Sequence, residues 1–78
     1  MDSIKYQPIT GSTQIIGKYY DIARNELYLK FRNGDQWKYS PVDPGLMTQF
    51  NASKSKGAFF HQKIRVNPEI KSEKIGTK

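Results

Sequence analysis

The sequence predicts an α+β domain: a three-stranded antiparallel β-meander with one α-helix and a short second helical segment packed on one face. Two observations carry most of that expectation. Leu27 to Tyr39 consists of two alternating apolar and polar runs that meet at Asn33-Gly34, the pattern of a β-hairpin. After it, Ser40-Pro41-Val42-Asp43-Pro44 cannot continue a central strand, because Pro41 and Pro44 have no amide hydrogen to donate. Asp43-Pro44 then has the form of a helix start, with Asp43 as N-cap and Pro44 preset for the first turn.

The hairpin admits two registers. With a two-residue turn at Asn33-Gly34, Trp37 and Tyr39 would lie on the face opposite Leu27, Leu29 and Phe31. With a three-residue loop, Arg32-Asn33-Gly34, Phe31 faces Asp35, Leu29 faces Trp37 and Leu27 faces Tyr39. All five large apolar groups then share one face. Burying a Leu or Phe is worth ~1.5–3 kcal/mol, so the three-residue loop is the expected register. It makes Trp37 and Tyr39 core and leaves Tyr28, Lys30, Gln36 and Lys38 on the outer face.

Thr13 to Tyr20 is rich in β-formers and supplies the first meander strand, with Asp21 to Asn25 as its turn. Leu46, Met47 and Phe50 fall on one face of a helix running from Pro44 to Ser53. Past Gly57, Phe60 and Ile64 lie four apart and face inward on the shorter segment. Residues 1–11, polar and broken by Pro8, read as a flexible N-terminal arm. The polar stretch 68–78 has little to bury and reads as a disordered C-terminal tail.

Seventy-eight residues allow one domain with a thin core, since a chain this short buries only about 60% of its unfolded surface. Without cysteine it has neither disulfides nor a zinc-thiolate site. No apolar run is long enough for a membrane span, and the N-terminus lacks the apolar core of a signal peptide, so a cytoplasmic protein without membrane contact is expected. Thirteen Lys and Arg against seven Asp and Glu give a formal charge of +6. That balance suits a polyanionic partner such as RNA, and it equally suits a surface that is charged for solubility.

Taken in order, these residues resemble the KTSC domain, a family named for its occurrence at the C-terminus of some lysyl-tRNA synthetases. The resemblance spans about residues 12 to 65. It rests on Tyr20-Asp21 at the end of the first strand, Phe31-Arg32-Asn33-Gly34 at the hairpin tip, and Trp37-Lys38-Tyr39 where the family has Tyr-x-Tyr. Val42-Asp43-Pro44 follows where the family has Val-Pro-Pro, then Ser55-Lys56-Gly57-Ala58-Phe59-Phe60 and Ile64-Arg65. Trp37, Asp43 and His61, where Asn is common, depart from the family pattern. The resemblance implies a KTSC-like domain over 12–67, of a kind also found free-standing in bacteria and their viruses. The synthetase association suggests RNA binding.

Candidate site residues fall into two groups. Tyr28, Lys30 and Lys38 on the outer sheet face offer an aromatic ring and two charges to single-stranded RNA. Lys54, Lys56, Lys63 and Arg65 surround Ser55 and Gly57, which become a phosphate contact if a helix opens there. No Walker pattern of glycines precedes this segment, so nucleotide hydrolysis is not expected. His61 is the sole histidine, with no nucleophile or acidic pair at a catalytic spacing, and it reads as a surface or capping residue. Scattered carboxylates beside one histidine have no metal-ligand spacing, and no cofactor is implied. The expected function is therefore a small non-enzymatic binding domain that contacts RNA through a basic surface. The alternative is a protein-interaction module of a larger, phage-related complex, docking through the open sheet face or an edge strand.

Overall fold

The computed structural model describes residues 4–9 and 12–76. Five strands, β1 (Gln7–Pro8), β2 (Ile15–Asp21), β3 (Glu26–Phe31), β4 (Gln36–Ser40) and β5 (Lys71–Gly76), form one antiparallel sheet in chain order. Helix α1 (Pro44–Ala52) and the short helix α2 (Lys56–Phe59), which runs on into a π-helical stretch (Phe60–Arg65), cover one face. The architecture is α+β as expected, but the sheet has five strands and not three.

The central hairpin adopts the three-residue loop. Leu27 pairs with Tyr39 and Leu29 with Trp37. The Phe31 amide donates to the Asp35 carbonyl at 2.9 Å, and the Gly34 amide donates to the Phe31 carbonyl at 2.9 Å. Gly34 has φ 98°, a left-handed conformation that side chains other than glycine's rarely tolerate. The Asn33 side chain accepts from the Asp35 amide at 2.9 Å and so pins the tip.

With that register fixed, one face of the sheet is apolar. Ile15, Leu27, Leu29 and Tyr39 join Val42, Met47, Phe50, Phe60 and Ile64 in a single buried cluster. Asp43 caps α1 as its sequence predicts, accepting from the Leu46 amide at 2.7 Å, and Met47 and Phe50 are the buried residues of that helix. The connection between sheet and helix is held at two points. The Tyr20 hydroxyl donates to the Val42 carbonyl at 2.6 Å, and the Val42 amide donates to the Asn25 carbonyl at 2.7 Å. Phe60 and Ile64 point inward as their spacing requires, but on a π-helical turn.

The two added strands correct the expectation for both ends of the chain. In the 1–11 arm, Gln7 and Pro8 pair with Lys18 and Gly17. Tyr6 lies over Gly17, where an added Cβ would stand only 2.9 Å from the Tyr6 Cβ, and its hydroxyl donates to Gln36 Oε1 at 2.9 Å. Residues 1–3, 10 and 11 of the arm lie outside the described residues.

The 68–78 tail, expected to be disordered, carries β5. Its residues Lys71 to Ile75 are all exposed, so burial does not form this strand. It completes the free edge of β4 and adds charge pairs, Glu73 to Lys38 at 3.4 Å and Lys74 to Asp35 at 3.6 Å. Ile70, packed against the core just before the strand, anchors the return. Residues 77 and 78 lie outside the described residues.

Candidate functional site

Tyr28, Lys30 and Lys38 sit on the face turned away from the helices, where Tyr28 and Lys38 are engaged by carboxylates. The Tyr28 hydroxyl donates to Glu26 Oε1 at 2.8 Å, and its ring packs 5.8 Å from that of Tyr19. Burial, reinforced by the Glu26 carboxylate, pushes the phenol up to about 12. Lys38 lies between Glu26 at 3.8 Å and Glu73 at 3.4 Å. Lys30 is half-buried in the row that runs from Gly17 to Gln36, the row crossed by Tyr6.

The residues around Gly57 belong to the helical layer, on the opposite side of the sheet. Lys54 and Lys63 are exposed. The Lys56 ammonium donates to the Ser53 carbonyl at 2.6 Å, and Ser55 Oγ accepts from the Ala58 amide at 3.3 Å as the cap of α2. The seven basic and aromatic candidates are thus divided between two faces. Only Arg65 among them lines the larger of two neighbouring concavities on the helical face.

That concavity is a groove of about 780 Å³ between the hairpin tip and the π-helical stretch. Its volume lies within the roughly 300–1,000 Å³ of small-ligand sites. Phe31, Trp37, Tyr39 and Phe60 form an aromatic floor, with Arg32 on the hairpin side and His61 and Arg65 on the helical side. Trp37 and Tyr39 stack with ring centroids 6.5 Å apart, and Phe60 meets Tyr39 edge-on at 5.1 Å and Phe31 at 5.7 Å. Tyr39 is buried, which pushes its phenol up to about 12, while the nearby Arg65 charge pulls the other way. It stays protonated at neutral pH and supplies no base.

Trp37 and Phe31 remain half-buried because the helical layer is too short to cover the sheet. A sheet of five strands is about 19 Å across at ~4.8 Å per strand. The nine residues of α1 reach only about 13 Å at 1.5 Å per residue. Arg32 is fixed at the groove edge: its backbone amide donates to the Gln14 carbonyl and its Nε to the Thr13 carbonyl, both at 2.7 Å. A guanidinium held through Nε keeps its terminal nitrogens as donors. Sequence reasoning missed Trp37, Phe31, Arg32 and His61 as site residues. The available signal was the excess of large apolar groups on one face over what two short helices can cover.

A smaller cavity of about 310 Å³ adjoins the groove, lined by Ser12, Ser55 and Gly57 together with Thr13, Gln14 and His61, the three residues that also line the groove. The His61 ring packs 5.6 Å from that of Phe60. Among the described residues, no group of three His, Cys, Asp or Glu could hold a metal ion, and no helix is long and apolar enough to cross a membrane.

No curated protein matches this chain. Among solved structures, it is similar to the crystal structure of KTSC domain protein YPO2434 from Yersinia pestis, with 28% identity and a TM-score of 0.79 over 92% of this chain and 97% of that one. The KTSC domain profile matches residues 11–67, the span that holds the hairpin, both helices and the groove's aromatic floor and arginines. With most of its length inside that match, the chain belongs to the KTSC domain family.

Proposed function

We propose that this chain is a non-enzymatic binding domain that holds an unpaired base of RNA in the aromatic groove, with Arg65 and Arg32 meeting the adjoining phosphates. One observation carries the reading: the half-buried rings of Phe31 and Trp37, backed by the buried Tyr39 and Phe60, form a floor between Arg32 and Arg65. Sequence-tolerant recognition of single strands needs this combination, because every base has a face to stack and every linkage a charge. The net charge of +6 favours the encounter. A cytoplasmic location belongs to the same reading.

The outer face is a weaker candidate, since Lys38 and Tyr28 already satisfy carboxylates there. Ser55 and Lys56 likewise spend hydrogen-bonding groups within their own loop, so the phosphate contact expected at Ser55 and Gly57 has less to offer by itself. Edge docking of a protein partner is disfavoured by β5, whose Lys71, Glu73 and Lys74 are the kind of charges that blunt strand addition.

Trp37 is the sole tryptophan, so its fluorescence reports the groove directly. Titration with a short single-stranded RNA should quench it. The affinity should fall as salt rises, with a log-log slope of roughly −0.7 per phosphate contact. Unchanged Trp37 emission at low salt, at RNA concentrations up to millimolar, overturns the reading and moves the search to a protein partner.

A further inference from the structure

We infer that the end of the groove at Tyr39 and Arg65 seats a phosphomonoester, so that the ligand there is the phosphorylated end of an RNA strand and not its middle. This deepens the reading of the groove proposed above and rests on it. The first support is a hydroxyl without a partner. Tyr39 is only 4% exposed, set between the stacked ring of Trp37 and the edge of Phe60. Among the described residues its hydroxyl has no hydrogen-bond partner, and no side-chain oxygen is both fully buried and unpartnered, so the little surface that Tyr39 keeps includes that oxygen. It opens into the groove that Tyr39 lines. A donor so placed is costly to leave unmet, and a ligand that supplies an acceptor removes that cost.

The second support is the company the hydroxyl keeps. Ser72, the cross-strand partner of Tyr39, lines the groove beside it, and so does Arg65. The ion pairs among the described residues engage Lys38 and Lys74, which leaves Arg65 without a carboxylate. Two hydroxyls and a guanidinium make a donor set for an anion. A phosphomonoester offers it three free oxygens and nearly two charges, whereas a diester within a strand offers two oxygens and one charge. A monoester also ends the chain, so it reaches a hydroxyl set between two rings without the strand having to leave on the far side. Along β4, Trp37 lies one same-face step, about 7 Å, from Tyr39. A base stacked on Trp37 and a phosphate at Tyr39 therefore belong to one nucleotide, and the strand continues toward Arg32 at the hairpin tip.

The test is quenching of Trp37 fluorescence at one fixed salt concentration by adenosine, 5′-AMP, 3′-AMP, and the dinucleotide ApA with and without a terminal phosphate. One of the two monophosphates should bind at least tenfold more tightly than adenosine, and the same terminal phosphate should improve ApA to a similar degree. ApA so phosphorylated should bind no more weakly than the monophosphate. Tyr39→Phe keeps the ring and removes the hydroxyl. It should cut the ratio of monophosphate to adenosine affinity by about tenfold, a ratio taken within the one variant and so insensitive to its stability. Equal affinity for adenosine and both monophosphates, or a ratio that Tyr39→Phe does not move, would overturn the phosphate seat and leave the groove reading standing. Weaker binding of phosphorylated ApA than of the monophosphate would overturn the RNA end in favour of a free nucleotide. No quenching by any of these ligands or by longer single-stranded RNA would overturn the groove reading itself.

Discussion

The two faces of the sheet draw on the same residue types and put them to opposite use. On the outer face, Tyr28 gives its proton to Glu26, Lys38 sits between two carboxylates, and Tyr6 crosses Gly17 to reach Gln36. Three of the long polar side chains there thus have partners within the chain. On the helical face, the rings of Phe31 and Trp37 continue beyond the reach of the helices, and arginines flank them; the carboxylate in that lining, Asp35, is paired with Lys74 at 3.6 Å. A tyrosine and two lysines on a sheet surface are therefore poor evidence of a site when acidic residues stand in the neighbouring rows. Apolar surface left over after the core is filled is better evidence.

Phe60 carries the helical face of this comparison, since it belongs both to the core and to the groove floor. Phe60→Ala should cost about 3–5 kcal/mol. The whole domain is expected to be stable by roughly 4–12 kcal/mol at 0.05–0.15 kcal/mol per residue, so urea denaturation should find this variant close to unfolding. Gly17→Ala probes the outer face with a smaller effect. The new methyl would meet Tyr6 at 2.9 Å and lift its ring from the sheet, at about 1–3 kcal/mol. Tyr6→Phe removes only the bond to Gln36 and should cost about 0.5–1.5 kcal/mol in the same measurement. If Gly17→Ala is no worse than Tyr6→Phe, the arm does not pack as described.

Binding sharpens the contrast further. Trp37→Ala should weaken single-stranded RNA binding by the ~1–3 kcal/mol of one stacked base, about 5- to 150-fold, as read by fluorescence anisotropy of a labelled RNA. Arg65→Ala should reduce the salt slope by about one phosphate contact. Lys38→Ala, on the outer face, should leave both affinity and slope nearly unchanged, because its charge is already shared with Glu26 and Glu73. A larger loss from Lys38→Ala than from Arg65→Ala would move the interface to the other side of the sheet.

The hairpin and the start of α1 were legible in the sequence because each is decided locally. Gathering five apolar groups on one face selects the register, and Asp43-Pro44 presents its own cap and first turn. The edge strand β5 was not legible, since Lys71-Ser72-Glu73-Lys74 has no apolar periodicity; it is held by backbone pairing and cross-strand charges that depend on where β4 ends up. The groove was hidden for a related reason. Pattern assigns Trp37 to the helix-facing side, but whether a helix covers it depends on how far α1 reaches and on the wide π-helical turn that carries Phe60 and Ile64. The division of the candidate lysines between two faces required the sheet order and the helix positions together.

The smallest expected effect separates the two faces by pH. Tyr28 on the outer face and Tyr39 on the helical face are both pushed up to about 12 from an ordinary 10.0, each chiefly by burial. A phenol raised in this way is favoured neutral in the folded protein. Its contribution is therefore fully present below pH 10, where the unfolded chain also keeps the proton, and it is lost as the pH climbs through 12. Stability should thus decline between about pH 10 and 12, as measured by urea midpoints across that range. Tyr28→Phe and Tyr39→Phe should each flatten the decline. The outer-face variant also loses the bond to Glu26, whereas Tyr39 has Arg65 nearby to offset its ionisation. With both phenols pushed up to about 12, the two variants should flatten the curve alike, but Tyr28→Phe should also lower the plateau below pH 10 through loss of the Glu26 bond, while Tyr39→Phe should leave the plateau close to that of the unaltered protein. A lower plateau for Tyr39→Phe than for Tyr28→Phe would mean that the bond to Glu26 does not hold the outer face.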